Sequence, residues 1–366
     1  MKMKAAVLHA IKTPLEIEEL EIGPVTDEDV LVKVAACGVC HTDLGGYTGQ
    51  ISRPLPLVMG HEAAGIVAEV GKGVTSVKPG DHVIISMMPY CGQCADCRAG
   101  YTYRCQNKRG PWGYPWDGKV RLHLNGKPVY QLSSLAAFAE HAVIHHTAAI
   151  KIPDDIPLEK ACLIGCGVST GMGAVINTAR VRAGSTTLVI GCGGVGLTTI
   201  QACQISGAGR IIAADLSDKK LEEAKRFGAT DVIDGKNGKI VDQVMKLTNG
   251  RGVDYSFEAV GKIQTMSDAF DSLARGGVAV MLGTEPEPDA TIPISPPKLR
   301  MERTITGSAG GYIRPWRDFP LFLDYYKQGR LNLDGLITGY GRLEDINKAL
   351  MALEKGEVIR TVLRMH

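Results

Sequence analysis

No apolar run reaches the roughly 18 residues that a membrane-spanning helix needs, in a chain of 366 residues. An excess of one charge is also missing. The 41 Lys and Arg stand against 39 Asp and Glu, a net charge of +2. Such a balance supplies no polybasic field for nucleic acid or an anionic membrane surface. Residues 1–9 hold no apolar stretch of signal-peptide length, so the sequence predicts a soluble cytoplasmic protein. Internal repeats, low-complexity tracts and long flexible linkers are absent too. What is present is ordinary for a globular chain: 45% hydrophobic and 22% charged residues, which excludes a disordered or fibrous protein. At about 150 residues per domain, two domains or three are expected.

Ten cysteines stand out in a chain with no export signal, where thiols or metal ligands are favoured over disulfides. Cys91, Cys94, Cys97 and Cys105 lie within 15 residues. Four thiolates on so short a loop match a closed tetrahedral zinc site, with an iron–sulfur cluster as the rival. Cys37, Cys162, Cys192 and Cys203 sit in apolar surroundings and read as core residues. Cys40 and Cys166 have more polar company.

The texture changes along the chain. For roughly the first 150 residues, runs at 4–9, 15–21, 30–37, 63–70 and 82–88 read as strands separated by Gly and Pro turns. The stretch 109–131, rich in Gly, Pro and Trp, reads as an irregular excursion. From about Gly165, strands expected at 186–190, 210–214, 231–233, 253–258 and 278–282 alternate with helices at 195–206, 217–227, 240–248 and 262–273. That alternation predicts a parallel α/β sheet. The proline-rich 286–297 segment reads as a rigid loop, and a helix at 343–354 and a strand at 358–363 close the chain.

Gly191-Cys-Gly193-Gly194-Val-Gly196 fits G-x-G-x-x-G between an apolar strand and a helix. Gly191 permits the tight turn, Gly193 lets backbone approach a pyrophosphate, and Gly196 allows close helix packing. The helix N-terminus offers free N–H donors to phosphate. Asp215 ends the next strand, 19 residues after Gly196. A carboxylate there accepts from ribose hydroxyls and repels a 2′-phosphate, favouring NAD over NADP. In the β-rich half, Cys40-His41-Thr42-Asp43 and Gly60-His61-Glu62 carry the polar chemistry. A Cys, a His and one more soft ligand make an open zinc site, although Cys40 and His61 alone also suit ordinary burial.

These motifs resemble the zinc-dependent medium-chain alcohol dehydrogenases of the medium-chain dehydrogenase/reductase superfamily. The likeness runs through essentially the whole chain, adding Gly-Cys-Gly-Val-Ser-Thr-Gly at 165–171 and Ile-Arg-Thr-Val-Leu at 359–363. It implies an α/β architecture: a GroES-like β-rich catalytic domain (1–167 plus 310–366) with an inserted Rossmann domain (168–309). It also implies hydride transfer between NAD(H) and an alcohol/aldehyde pair, with zinc stabilising the alkoxide. Two zinc ions per chain are expected: a structural one on Cys91, Cys94, Cys97 and Cys105, and a catalytic one on Cys40, His61 and Cys166. Glu62 would be an alternative ligand, Asp43 would orient His61, and Thr42 would pass on the substrate proton. His41 and Arg360 would contact the pyrophosphate. Thr170 and Val195 would pack on the nicotinamide, with Asp215 and Lys220 around the adenosine ribose.

The resemblance has departures. Many relatives carry a relay histidine three residues after the Thr42 position, where this chain has Gly45. Thiol-adduct formaldehyde dehydrogenases, acting on S-hydroxymethyl glutathione or mycothiol, use an Arg where Arg109 stands and an acid where Ile51 stands. Ile51, Met87 and Leu132 map to an apolar substrate pocket suited to uncharged primary alcohols. The long 109–131 excursion favours a homodimer over a homotetramer. A non-catalytic NAD-binding structural protein is the reading from another class. Nucleic-acid binding fails on charge.

Overall fold

The computed structural model describes residues 1–107, 113–284 and 289–366. They form two compact units: Met1–Cys166 with Arg314–Leu323 and Leu333–His366, and Gly167–Ile313 with Asp324–Asn332. The second unit thus gathers 324–332, which the sequence reading assigns to the first.

In the first unit, strands Lys2–Leu8, Glu16–Ile22, Leu122–Leu124, Lys127–Gln131 and Leu57–Val58 close into a small barrel. A second sheet runs in the order Ala149–Lys151, His82–Ile85, Glu62–Val70, Asp29–Gly38, Thr361–Arg364, Gly339–Arg342. Strand His141–His145 adds to it by pairing with Asp29–Gly38. The central strand Asp29–Gly38 is buried along nearly its whole length, whereas Glu16–Ile22 at the barrel surface is exposed or half-buried over most of its length. One core gathers Val32, Val34, Met59, Val83, Phe138 and Leu363, and a second fills the barrel with Leu20, Val58 and Val129. The register of the central pair is what places the polar motifs. Gly38 pairs with Glu62, so the chain leaving one strand at Val39 lies beside the chain entering the other at His61.

Among the departures from the sequence expectation in this unit, two stand out. The β-rich half holds a helix, His41–Thr48. The supposed irregular excursion contains a hairpin, Leu122–Leu124 with Lys127–Gln131, turned by Asn125 and Gly126 at φ +50° and +77°. Those two left-handed residues are what a two-residue hairpin with the strands' twist requires.

The second unit is a parallel sheet ordered Asp231–Asp234, Arg210–Asp215, Thr186–Ile190, Val253–Glu258, Leu273–Met281, Thr304–Gly307 among the described residues. In chain order this is 3-2-1-4-5-6, the doubly wound arrangement, with a crevice beyond the carboxyl ends where the order reverses. Strands such as Thr-Thr-Leu-Val-Ile are buried along nearly their whole length because helices cover both faces. The alternating helices form as expected, at Gly194–Ile205, Asp218–Arg226, Ile240–Leu247 and Ile263–Asp271. The fifth strand starts earlier than expected, at Leu273, through an irregularity in its pairing. Of the proline-rich segment, 285–288 lies outside the described residues, while Pro296 and Pro297 begin a short helix, Pro296–Leu299, where a loop was expected.

Candidate functional site

The first unit converges on Asp43. Its carboxylate is fully buried, one oxygen accepting from the Cys40 N–H at 2.9 Å. The other accepts from the Gly60 N–H at 3.0 Å and faces His61 Nδ1 at 3.1 Å. One side chain therefore caps the helix His41–Thr48, holds the Gly60 turn and aims an imidazole. With Nδ1–H donating to Asp43, the ring turns its Nε2 inward. That Nε2 is buried with no hydrogen-bond partner among the described residues. A bare imidazole nitrogen in a dry interior costs free energy unless a ligand satisfies it.

Two sulfurs supply the rest. Cys40 Sγ and Cys166 Sγ lie 3.9 Å apart, and the donor atoms of Cys40, His61 and Cys166 are all within 4.8 Å of one another. Thiolates about 2.3 Å from a tetrahedral zinc stand about 3.8 Å apart. The trio fits such an ion. Its protonation fits as well. The hydrogen bond from Cys166 pushes the Cys40 thiol well below its ordinary value, while the same bond pushes Cys166 well above. Burial works against a charged His61, but Asp43 and then Cys40 outweigh it and hold the ring well above an ordinary histidine. A divalent cation entering here would displace these protons.

Around the trio, Thr42 Oγ1 is 4.0 Å from Cys40 Sγ, and His41 is exposed at the start of the same helix. Glu62 is fully buried, 3.2 Å from Arg360 Nε, and Arg360 also donates to the Val39 carbonyl at 2.8 Å. Arg360 is thus engaged inside the unit. Burial opposes its charge, but Glu62 and then Cys40 outweigh this and raise its pKa. Ile51 and Met87 are half-buried on the core, whereas Leu132 has no exposed surface. Tyr47 and Leu55, which the sequence reading did not single out, are partly buried against the same core. A Cβ on Gly45 would come within 3.0 Å of Ile51, so the absent side chain makes room for the isoleucine. Arg109 lies outside the described residues.

The four-cysteine loop also closes on itself. Its sulfurs lie within 4.8 Å of one another, and backbone N–H groups of Gln93 and Cys94 donate to Cys91 Sγ at 3.4 and 3.3 Å. Burial opposes a Cys91 thiolate, yet these donors bring its pKa down to about 6. Cys97, by contrast, is pushed up to about 12 by burial. Cys37, Cys162, Cys192 and Cys203 are buried thiols.

In the second unit, Gly191 turns at φ +93°, and a Cβ on Gly196 would drive into the Gly191 carbonyl. Gly193 caps the helix that Gly194 opens, with Val195 partly exposed in its first turn. Asp215 spans the turn: one carboxylate oxygen accepts from Cys192 N–H at 2.8 Å, the other from Ser217 N–H at 3.0 Å. Lys220 is half-buried on the next helix, and Thr170 is half-buried on helix Gly167–Gly173. Sequence reading missed Leu216 and Val260, exposed apolar residues at this carboxyl edge. An apolar residue directly after a strand-ending acid was the available signal.

Two family models match the chain, an alcohol dehydrogenase GroES-like domain over residues 26–154 and a zinc-binding dehydrogenase over 194–328. An alcohol dehydrogenase zinc-binding domain protein from Burkholderia ambifaria is 34% identical, with TM-score 0.95, covering 100% of this chain and 99% of that one. The chain belongs to the zinc-dependent alcohol dehydrogenase family. The benzyl alcohol dehydrogenase of Acinetobacter calcoaceticus is 31% identical, with TM-score 0.94 and complete coverage of both chains. A zinc-binding dehydrogenase structure from Sinorhizobium meliloti 1021, bound to NADP, is 25% identical with TM-score 0.82 and complete coverage of both chains. As in other alcohol dehydrogenases of this family, the GroES-like and Rossmann-type folds are joined in one chain.

Asp43→Ala would remove the acceptor of two buried N–H groups and the partner of His61, at roughly 1–3 kcal/mol for each donor stranded. We expect a loss of about 3 kcal/mol or more in urea unfolding, together with a weaker hold on metal. A change below about 1 kcal/mol would contradict this reading of the site.

Proposed function

We propose that the protein is an NAD-dependent alcohol dehydrogenase acting on small uncharged primary alcohols and their aldehydes. The observation that carries this reading is the fully buried, unpartnered His61 Nε2 beside two cysteine sulfurs 3.9 Å apart. Cys40, His61 and Cys166 would hold a catalytic zinc, and Cys91, Cys94, Cys97 and Cys105 a structural one. The close spacing of those four sulfurs suits a single ion better than a wider multi-iron cluster. When bound, zinc supplies a Lewis acid that acidifies an alcohol and polarises a carbonyl, and NAD supplies the hydride acceptor.

The chain's own residues do the rest. Asp43 fixes the tautomer and direction of His61. Thr42 stands close enough to Cys40 to take the substrate's hydroxyl proton and pass it on. No imidazole follows at Gly45, so the proton leaves by water or through exposed His41. Ile51 and Met87 offer an apolar surface that excludes water and favours uncharged substrates. Arg360, paired with Glu62, keeps a positive charge near the thiolates and lowers the energy of the ionised Cys40.

The cofactor preference rests on Asp215. Its carboxylate, anchored by two backbone N–H groups, would face the ribose and repel a 2′-phosphate. Replacing Asp215 by Gly, with Leu216→Arg beside it, should raise the NADP-to-NAD ratio of kcat/KM at least tenfold. Both N–H groups lose their acceptor, so a stability cost of about 1–2 kcal/mol is expected as well. A wild-type preference for NADP would overturn the assignment. The reading as a whole is tested by a panel of alcohols and aldehydes with each cofactor, including formaldehyde with and without glutathione or mycothiol. Turnover of primary alcohols supports it. Activity confined to the thiol adduct would move the protein to the formaldehyde dehydrogenase branch.

A further inference from the structure

The parallel sheet has a second chemically distinctive edge. Strands Thr186–Ile190, Val253–Glu258 and Leu273–Met281 run the same way, so their amino ends share the edge opposite the glycine turn. A cavity of about 690 Å³ opens at that edge, lined by Arg180, Arg182, Ser185, Asp254, Tyr255 and Arg275 among others. Three guanidiniums thus border one carboxylate. Asp254 is already committed, accepting from Thr186 N–H at 2.8 Å and paired with Arg251 at 2.5 Å. A second acid, Glu302, approaches the rim at Gly276. Arg182 Nε reaches the Tyr255 hydroxyl at 3.4 Å. The Arg180 backbone N–H donates to the Val175 carbonyl, but the guanidinium groups of Arg180 and Arg275 make neither a hydrogen bond nor an ion pair with any described protein group.

The frame around these cations is specific. Arg180 follows the π-helical turn Ala174–Ala179 and sits in the left-handed region at φ +52°. Both features are uncommon and concentrate where a side chain has been re-aimed for function. Arg180 also borders a smaller cavity of about 290 Å³, formed with Ile176, Val181, Ile205, Ser206 and Tyr325. Arg330 stacks over the Tyr325 ring at 4.8 Å. A cationic hollow therefore adjoins one of mixed lining that offers Ile176, Val181, Ile205 and the Tyr325 ring, with Arg180 between them.

We propose that this amino edge binds an organic phosphate ester, its phosphate on Arg180, Arg182 and Arg275 and its apolar or aromatic body against Ile176, Ile205 and Tyr325. Guanidinium forks match phosphate oxygens in charge and geometry. The site is separate from the cofactor crevice. Ser185 and Gly191 lie at opposite ends of one strand, about 20 Å apart at roughly 3.3 Å per residue.

The test is calorimetric titration of the full-length, metal-loaded protein at low salt, with NADH saturating the cofactor crevice. Inorganic phosphate probes the head and 1-naphthyl phosphate the head with a body. We expect one naphthyl phosphate per chain, bound at least tenfold more tightly than inorganic phosphate. Arg182→Ala with Arg275→Ala should weaken both at least tenfold while leaving NADH affinity unchanged. Tyr325→Ala should erase the advantage of the naphthyl group. A flat wild-type titration, or unchanged binding in the double arginine variant, would overturn the proposal. Equal affinity for the two probes would overturn its apolar half.

Discussion

Replacing Cys40 by Ser, or His61 by Ala, should lower alcohol turnover by about a thousandfold or more and leave one zinc per chain, against the two proposed for the native protein. The size reflects the role. A Lewis acid at the reacting oxygen is worth several kcal/mol, and about 1.4 kcal/mol is a factor of ten. Both residues are buried, Cys40 at 6% exposure and His61 at 0%. The nearly isosteric serine therefore separates lost chemistry from lost packing, because it leaves no cavity. Asp43 would still hold the Cys40 and Gly60 N–H groups in the serine variant, so the helix cap and the turn should survive. Circular dichroism and NADH binding should match the native protein. Retained turnover, or two zinc ions still bound, would remove Cys40 from the site.

The second large effect belongs to the loop. Cys94→Ser should release the other zinc and destabilise the first unit, with retained turnover at low temperature. In a closed four-thiolate site, metal binding is folding free energy, because the unfolded loop holds no preformed site. Cys91, Cys94 and Cys105 are only partly buried, and the loop's secondary structure is two short helical turns, Ala95–Arg98 and Thr102–Arg104, tied further by Arg314 donating to the Gly100 carbonyl. We expect thermal unfolding to begin at least about 5 °C lower and rapid proteolytic nicking between Cys91 and Cys105. An unchanged midpoint with one zinc missing would mean the loop is held by something other than metal. Iron in place of zinc would revive the iron–sulfur alternative.

How much is legible in the sequence depends on how local each signal is. The parallel sheet is legible because a strand buried on both faces is a short apolar run and its helices are amphipathic or apolar at the 3.6 period. The four cysteines are legible because their ligand set is contained in one loop. The trio is only half legible. Cys40 and Cys166 are 126 residues apart, and no spacing rule joins them; the family resemblance does. The Glu62–Arg360 pair, brought together by the pairing of three strands, leaves no mark in the sequence that distinguishes it from two separate charges. The helix Pro315–Lys327 escapes sequence reading because Pro320 inside it reads as a breaker. The Asn125-Gly126 hairpin escapes for a different reason. Its turn signal is present, but neighbouring Gly, Pro and Trp mask the short strands on either side.

Gly45 illustrates what a structure adds to a motif. In sequence it is a missing histidine. In the fold it is the space into which Ile51 packs, with a Cβ there reaching 3.0 Å from the isoleucine side chain. Restoring an imidazole at this position therefore displaces an apolar group of the proposed substrate surface, so relay and substrate preference are coupled through one contact.

The central claim of the proposed function is that the protein, with metal held by Cys40, His61 and Cys166, transfers hydride from an alcohol carbon to NAD. Single-turnover mixing of the protein and NAD with an α,α-dideuterated primary alcohol tests it most directly, by following deuterium into the cofactor with mass spectrometry. The account predicts one deuterium per reduced cofactor in the native protein and, on the same timescale, none in Cys40→Ser. Deuterium found in solvent instead of the cofactor, or equal transfer by the serine variant, would contradict it.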